Sequence, residues 1–89
     1  MSDVLRELRP SVLAFAQAME RKLRKNDHRG GWAQSSPKWL LSRLREETRE
    51  LSDALNGADL EVLDEAADVG NFAMMIHDVV SARRGKGKP

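Results

Sequence analysis

No cysteine occurs among the 89 residues of the chain, which excludes disulfides and thiol chemistry and is neutral about compartment. No run approaches the ~20 apolar residues needed to span a bilayer, and no secretory signal opens the sequence. A cytoplasmic protein with no membrane partner is therefore expected. No cluster of cysteine and histidine is present to hold zinc. A charge excess is missing too: the formal net charge is +1, whereas binding to nucleic acid calls for a strongly basic surface. Nucleic acid is not expected as a partner.

What is present suits a helix-rich domain with a highly charged surface, 40% of residues being hydrophobic and 33% charged. This length makes one small domain, near the size at which a lone core is marginal. The small net charge hides a segregation. Arg21, Lys22, Arg24, Lys25 and Arg29 crowd into residues 21–29, while residues 46–68 hold most of the acid. A basic segment beside an acidic one suits a polyphosphate substrate, with cations on the phosphates and carboxylates on a metal. The run Arg83-Arg84-Gly85-Lys86-Gly87-Lys88 reads as a flexible, solubilising tail over 83–89, after a single helical domain over 1–82.

Three helices follow from apolar spacing and end signals. The first carries Val12, Phe15, Ala16, Met19 and Leu23, has Pro10 in its first turn and runs to about Lys25. Val4, Leu5 and Leu8 suggest a short turn before it. Asn26-Asp27-His28-Arg29-Gly30-Gly31-Trp32 is a loop by composition. The second helix has Ser36 as N-cap, Pro37 at the first helical position and Gly57 at the C′ position. The third opens with Asp59 as N-cap and reaches about Ala82 with no proline inside it. A link of only Asn56-Gly57-Ala58-Asp59 makes the last two helices antiparallel neighbours.

Acids interrupt the apolar stripes of that hairpin. Leu40, Leu44, Leu51 and Leu55 share one face of the second helix, with Glu47 in its middle and Glu50 at its edge. Val62, Val69, Phe72 and Ile76 share one face of the third, with Glu65 within it and Asp68 at its flank. Each acidic pair is spaced i, i+3, so its members lie on one side of the helix. The pairs also lie at similar distances from the turn, which brings all four carboxylates together. Burying them is costly unless something compensates. One compensation is pairing with Arg43, Arg45 or Arg49; the other is a hard cation, magnesium or manganese, bound through oxygen. The reading adopted is the metal.

Leu63, Ala67, Gly70 and Met74 make the opposite face of the third helix apolar as well. A helix apolar all round is buried all round, so a subunit interface is expected, in a homodimer or homotetramer. Met74 and Met75 read as ordinary packing, and Thr48 and Trp39 are assigned to packing too.

Glu46-Glu47-x-x-Glu50, fourteen residues, then Glu65-x-x-Asp68 resembles the EExxE…ExxD signature of the all-α nucleoside triphosphate pyrophosphohydrolases, the MazG-like group. The stretches Asn26-Asp27-His28-Arg29-Gly30-Gly31-Trp32, Lys38-Trp39-Leu40-Leu41 and Ala67-Asp68-Val69-Gly70-Asn71-Phe72-Ala73-Met74-Met75 also resemble small members from bacteria and phages. The match covers about residues 12–80. The resemblance implies an all-α fold: a four-helix-bundle-like core, from the hairpin and the N-terminal helix, completed by oligomerisation. It implies magnesium-dependent cleavage of a nucleoside triphosphate, a dNTP in the reading adopted, to the monophosphate and pyrophosphate.

By position, Glu47, Glu50, Glu65 and Asp68 would be the metal ligands, and Glu46 the group that orients or deprotonates the attacking water. Lys22 and Lys25, spaced i, i+3, either reach the outer phosphates or form a solvated face. Asn71 either bonds ribose or base or only orients Asp68. Trp32 stacks on a base or caps the bundle. Asn26 and His28 complete the candidate substrate loop, His28 having loop structure as its simpler explanation. A rival reading is a non-catalytic helical dimer, an adaptor or antitoxin-like module whose acidic stripe meets a basic partner. It leaves unexplained why acids interrupt both stripes at matching depth. A phosphoribosyl nucleotide as substrate is a further alternative, against which the loop around Trp32 argues.

Overall fold

The computed structural model describes residues 7–86. Within them the fold is all-α: α1 (Pro10–Lys25), a single 3-10 turn (Asp27–Arg29), α2 (Pro37–Ala54) and α3 (Asp59–Lys86). The turn expected at Val4 and Leu5 lies outside the described residues, and Leu8 is 37% exposed. Among the described residues no helix is long and apolar enough to cross a membrane.

The end signals act mostly as the sequence implies. Pro10 opens α1, where its missing N–H costs no hydrogen bond. Ser36 takes an extended backbone, and its side chain accepts from the Trp39 N–H at 3.1 Å, with Pro37 starting α2. Gly30, at φ 85°, turns the chain out of the 3-10 segment through a conformation that side chains disfavour.

Three boundaries differ from expectation. Gly57 has no positive φ and lies two residues beyond the C-cap Leu55; its N–H instead bonds the Ala54 carbonyl at 2.8 Å. Asp59 is the first helical residue of α3, not its N-cap, because the Ala58 carbonyl already accepts from Glu61 and Val62. And α3 continues past Ala82 through Arg83, Arg84 and Gly85 to Lys86, so the basic stretch begins as helix.

At 28 residues α3 is about 42 Å long, at 1.5 Å per residue, and is the axis of the molecule. It packs against both α2 and α1. Leu40 and Ala67 are almost fully enclosed, at 0% and 1% exposure. Gly70 lets α1 come close to α3: a Cβ there would lie 2.6 Å from Phe15 Cε2 and 3.3 Å from Met19 Sδ. Part of the second apolar face of α3 is thus covered within the chain, by α1.

Leu63 on that face stays 65% exposed, and Leu55 and Leu60 at the hairpin end are 67% and 78% exposed, so Leu55 does not continue the buried stripe of α2. Thr48 and Trp39 are also outside the packing expected of them. Thr48 is exposed and bonds the Leu44 carbonyl, and Trp39 is 53% exposed.

Candidate metal centre

Glu47, in the middle of α2, and Glu65 and Asp68, one turn apart on α3, bring carboxylate oxygens within 4.8 Å of one another. Two adjacent helices supply the three groups, because the short link sets their acids at matching depth. Glu47 is 8% exposed, in a position its neighbours Leu40 and Leu44 mark as core-facing.

Glu47 is only half satisfied. One oxygen accepts from Arg43 Nη2 at 3.1 Å; the other, like one oxygen of Glu65, is buried and has no partner among the described residues. The pairing with Arg43 that the sequence allowed is therefore real, but it leaves the inner side of the cluster open. Burial, then the nearby Glu50 and Asp68, push the Glu47 carboxyl up to about 7, against the opposing pull of Arg43. Burial and Asp68 raise Glu65 as well. Asp68 is raised mainly by burial, although Lys22 counteracts it. Buried carboxylate oxygens left without partners, within a group of three acids, are compatible with a hard divalent cation, which binds through oxygen.

The other expected residues spread around this centre. Glu50 is exposed and stands outside the close group of three, yet near enough to raise both Glu47 and Glu65. Glu46 is outside it as well, and its half-exposed carboxylate pairs with Arg43 Nη1. Arg43 thus ties the two consecutive glutamates together, while its guanidinium lies 5.2 Å above the Phe72 ring.

Beside the carboxylates opens a cavity of about 390 Å³, a volume suited to a small-molecule ligand. Lys22, Asn26, Trp32, Trp39, Asp68 and Asn71 are on its walls, with Glu47 and Arg43 at the acidic side. Asn71 is 4% exposed; its amide donates to the Met19 carbonyl at 3.0 Å, and its Oδ1 is buried without a partner. Trp32 reaches across the loop to donate from Nε1 to Asp78 at 2.9 Å. Lys25 and His28 are exposed and do not line the cavity. Asn26 donates to the Lys22 carbonyl and ends α1.

Two participants escape the sequence reading. Asp64 binds the Lys22 ammonium at 2.9 Å, and Asp78 anchors Trp32. Their partners are 42 and 46 residues away, so no local pattern points to either. Trp39 belongs to the cavity rather than to packing.

No protein-family model, no curated protein and no solved structure matches the chain. The resemblance to the MazG-like group rests on the motif residues alone.

Proposed function

We propose that the protein is a magnesium- or manganese-dependent pyrophosphohydrolase that cleaves a nucleoside triphosphate, NTP or dNTP, to the monophosphate and pyrophosphate. The observation that carries this reading is the pair of buried, unpartnered oxygens on Glu47 and Glu65, grouped with Asp68 next to the cavity whose walls Glu47 and Asp68 share with Trp32 and Asn71. Carboxylates held this way make a poor core and a good cation site.

In this reading Glu47, Glu65 and Asp68 hold the cation, with Glu50 completing the set from the rim. When bound, it supplies positive charge that holds the phosphates and eases attack on phosphorus. Lys22, where the centre meets the cavity, offsets phosphate charge. The exposed faces of Trp32 and Trp39 offer stacking surfaces for a base, and the free Oδ1 of Asn71 accepts a hydrogen bond from the nucleoside. Glu46, steered by Arg43, takes the proton of the attacking water. The exposed leucines at the hairpin end support a homodimer or homotetramer that closes the bundle.

The adaptor reading draws on the same leucines, since an uncovered apolar patch suits a partner of any kind. One panel separates the two. The full set of NTPs and dNTPs is incubated with magnesium, and products are resolved as monophosphate with pyrophosphate or diphosphate with phosphate. Monophosphate and pyrophosphate are expected, and chelation should abolish their formation. A folded protein that hydrolyses none of them with magnesium or manganese refutes the enzyme reading.

A further inference from the structure

Lys22 stands at the junction of the acidic centre and the cavity. Its ammonium lies 2.9 Å from Asp64 Oδ2 and 3.3 Å from Asp68 Oδ2. The side chain is 18% exposed, against 23% for Asp68 and 50% for Asp64. Asp68 belongs to the close group with Glu47 and Glu65, whereas Asp64 does not. One cation therefore bridges an acid of the centre and an acid outside it. Among the described residues no cation reaches the unpartnered Oε2 of Glu47 or of Glu65.

We infer that Lys22 is a built-in counter-ion of the acidic centre, tethered by Asp64, and that it gives up Asp68 when a divalent cation binds. The inference rests on the metal centre proposed above. An ammonium is a compact point charge on a flexible stem, so it neutralises Asp68 without the fixed geometry a guanidinium would impose. It also repels an incoming cation and occupies an oxygen that the cation needs. Once Asp68 turns to the cation, Asp64 keeps the ammonium at the mouth of the cavity instead of releasing it to solvent. Lys22 is then charged, partly desolvated and short of one partner, as the phosphates of a nucleotide require. Asp64 is the positioning residue in this exchange.

The test uses manganese alone, titrated calorimetrically into the full chain without nucleotide. It is paired with reductive methylation of Lys22 followed by mass spectrometry. Lys22→Met should bind manganese roughly fivefold more tightly than wild type, the scale of a partly exposed ion pair. Lys22→Arg keeps the charge and should stay near the wild-type affinity. Methylation of Lys22 in the wild type should quicken on adding manganese and slow again when a non-hydrolysable nucleoside triphosphate joins it. Asp64→Asn should quicken it before any metal is added. Equal affinity in wild type and Lys22→Met, with methylation unmoved by manganese, overturns this inference and leaves the metal centre standing. Absence of manganese binding in all these proteins overturns both.

Discussion

Arg43 donates to one oxygen of Glu47 at 3.1 Å, while the second oxygen of the same carboxylate is buried with no partner. A structural ion pair would satisfy both oxygens or leave one in water. Leaving a polar group unsatisfied in the interior costs about 1–3 kcal/mol. This chain carries that cost where Glu47 of α2 meets Glu65 and Asp68 of α3.

Replacing Glu47 by Gln should therefore stabilise the metal-free protein at neutral pH, by about 1 kcal/mol, through relief of burial and of repulsion from Glu50 and Asp68. The same change should abolish manganese binding and pyrophosphate release together. Urea melts and a calorimetric titration on the two proteins check it. A Glu47→Gln variant that binds manganese and hydrolyses dNTPs like wild type would remove the central claim.

Stability should depend on pH in an unusual sense. The Glu47 carboxyl is raised from 4.5 to about 7, so between those values the folded state holds a proton that the unfolded chain has released. Its stabilising share is complete below about pH 4.5 and is lost as pH rises through about 7. Glu65 and Asp68 are raised in the same direction. Lys22, raised above 10.5 by Asp64 and Asp68 in spite of burial, stays charged across this window and leaves the slope unaltered. The metal-free protein should be more stable near pH 5 than near pH 8, on the order of 2 kcal/mol. Saturating manganese should reverse the trend, since the ligands bind deprotonated. Denaturant midpoints that rise with pH without metal would contradict the buried-acid account.

Glu46→Gln separates the neighbouring acids. Glu46 is half-exposed and paired with Arg43, so its loss should leave manganese affinity near wild type. If Glu46 accepts the proton of the attacking water, turnover should fall about a hundredfold. Single-turnover pyrophosphate release measures it, and a fall below about threefold would reassign Glu46 to a surface ion pair.

Gly70→Ala tests the packing of α1. The new Cβ would lie 2.6 and 2.7 Å from two ring carbons of Phe15, a contact the ring must yield to. The gain in helix propensity, about 1 kcal/mol, should be outweighed by overpacking of about 1–3 kcal/mol. Adding Phe15→Leu should restore part of the loss, and thermal melts of the single and double variants read it directly. A Gly70→Ala protein more stable than wild type would show that α1 does not sit where this structure has it.

Much of the fold is written in local signals. Ser36 and Pro37 start α2 because an N-cap oxygen and a missing N–H suit a helix end wherever it is. Where a local signal is ambiguous, the surrounding chain decides the outcome. Gly57 suits a left-handed cap but never adopts one, because the chain re-enters helix at Asp59 and the Ala54 carbonyl is met by an ordinary turn. Trp39 and Leu55 look apolar in sequence and are exposed in the structure, because hydrophobicity gives no information about which apolar residues a small chain has partners to cover.

The sequence by itself determined three helices, the hairpin, and the depth at which Glu47, Glu65 and Asp68 meet, since periodicity and a four-residue link are local properties of the chain. Only the tertiary structure decided which oxygens stay unpartnered, that Lys22 binds Asp64 and Asp68, that Trp32 is fixed by Asp78, and that Gly70 admits Phe15. All but the first depend on where α1 and the loop after it come to rest against α3, through contacts more than 40 residues apart in sequence. Helix spacing carries no information about such distances; packing and the satisfaction of buried polar groups decide them.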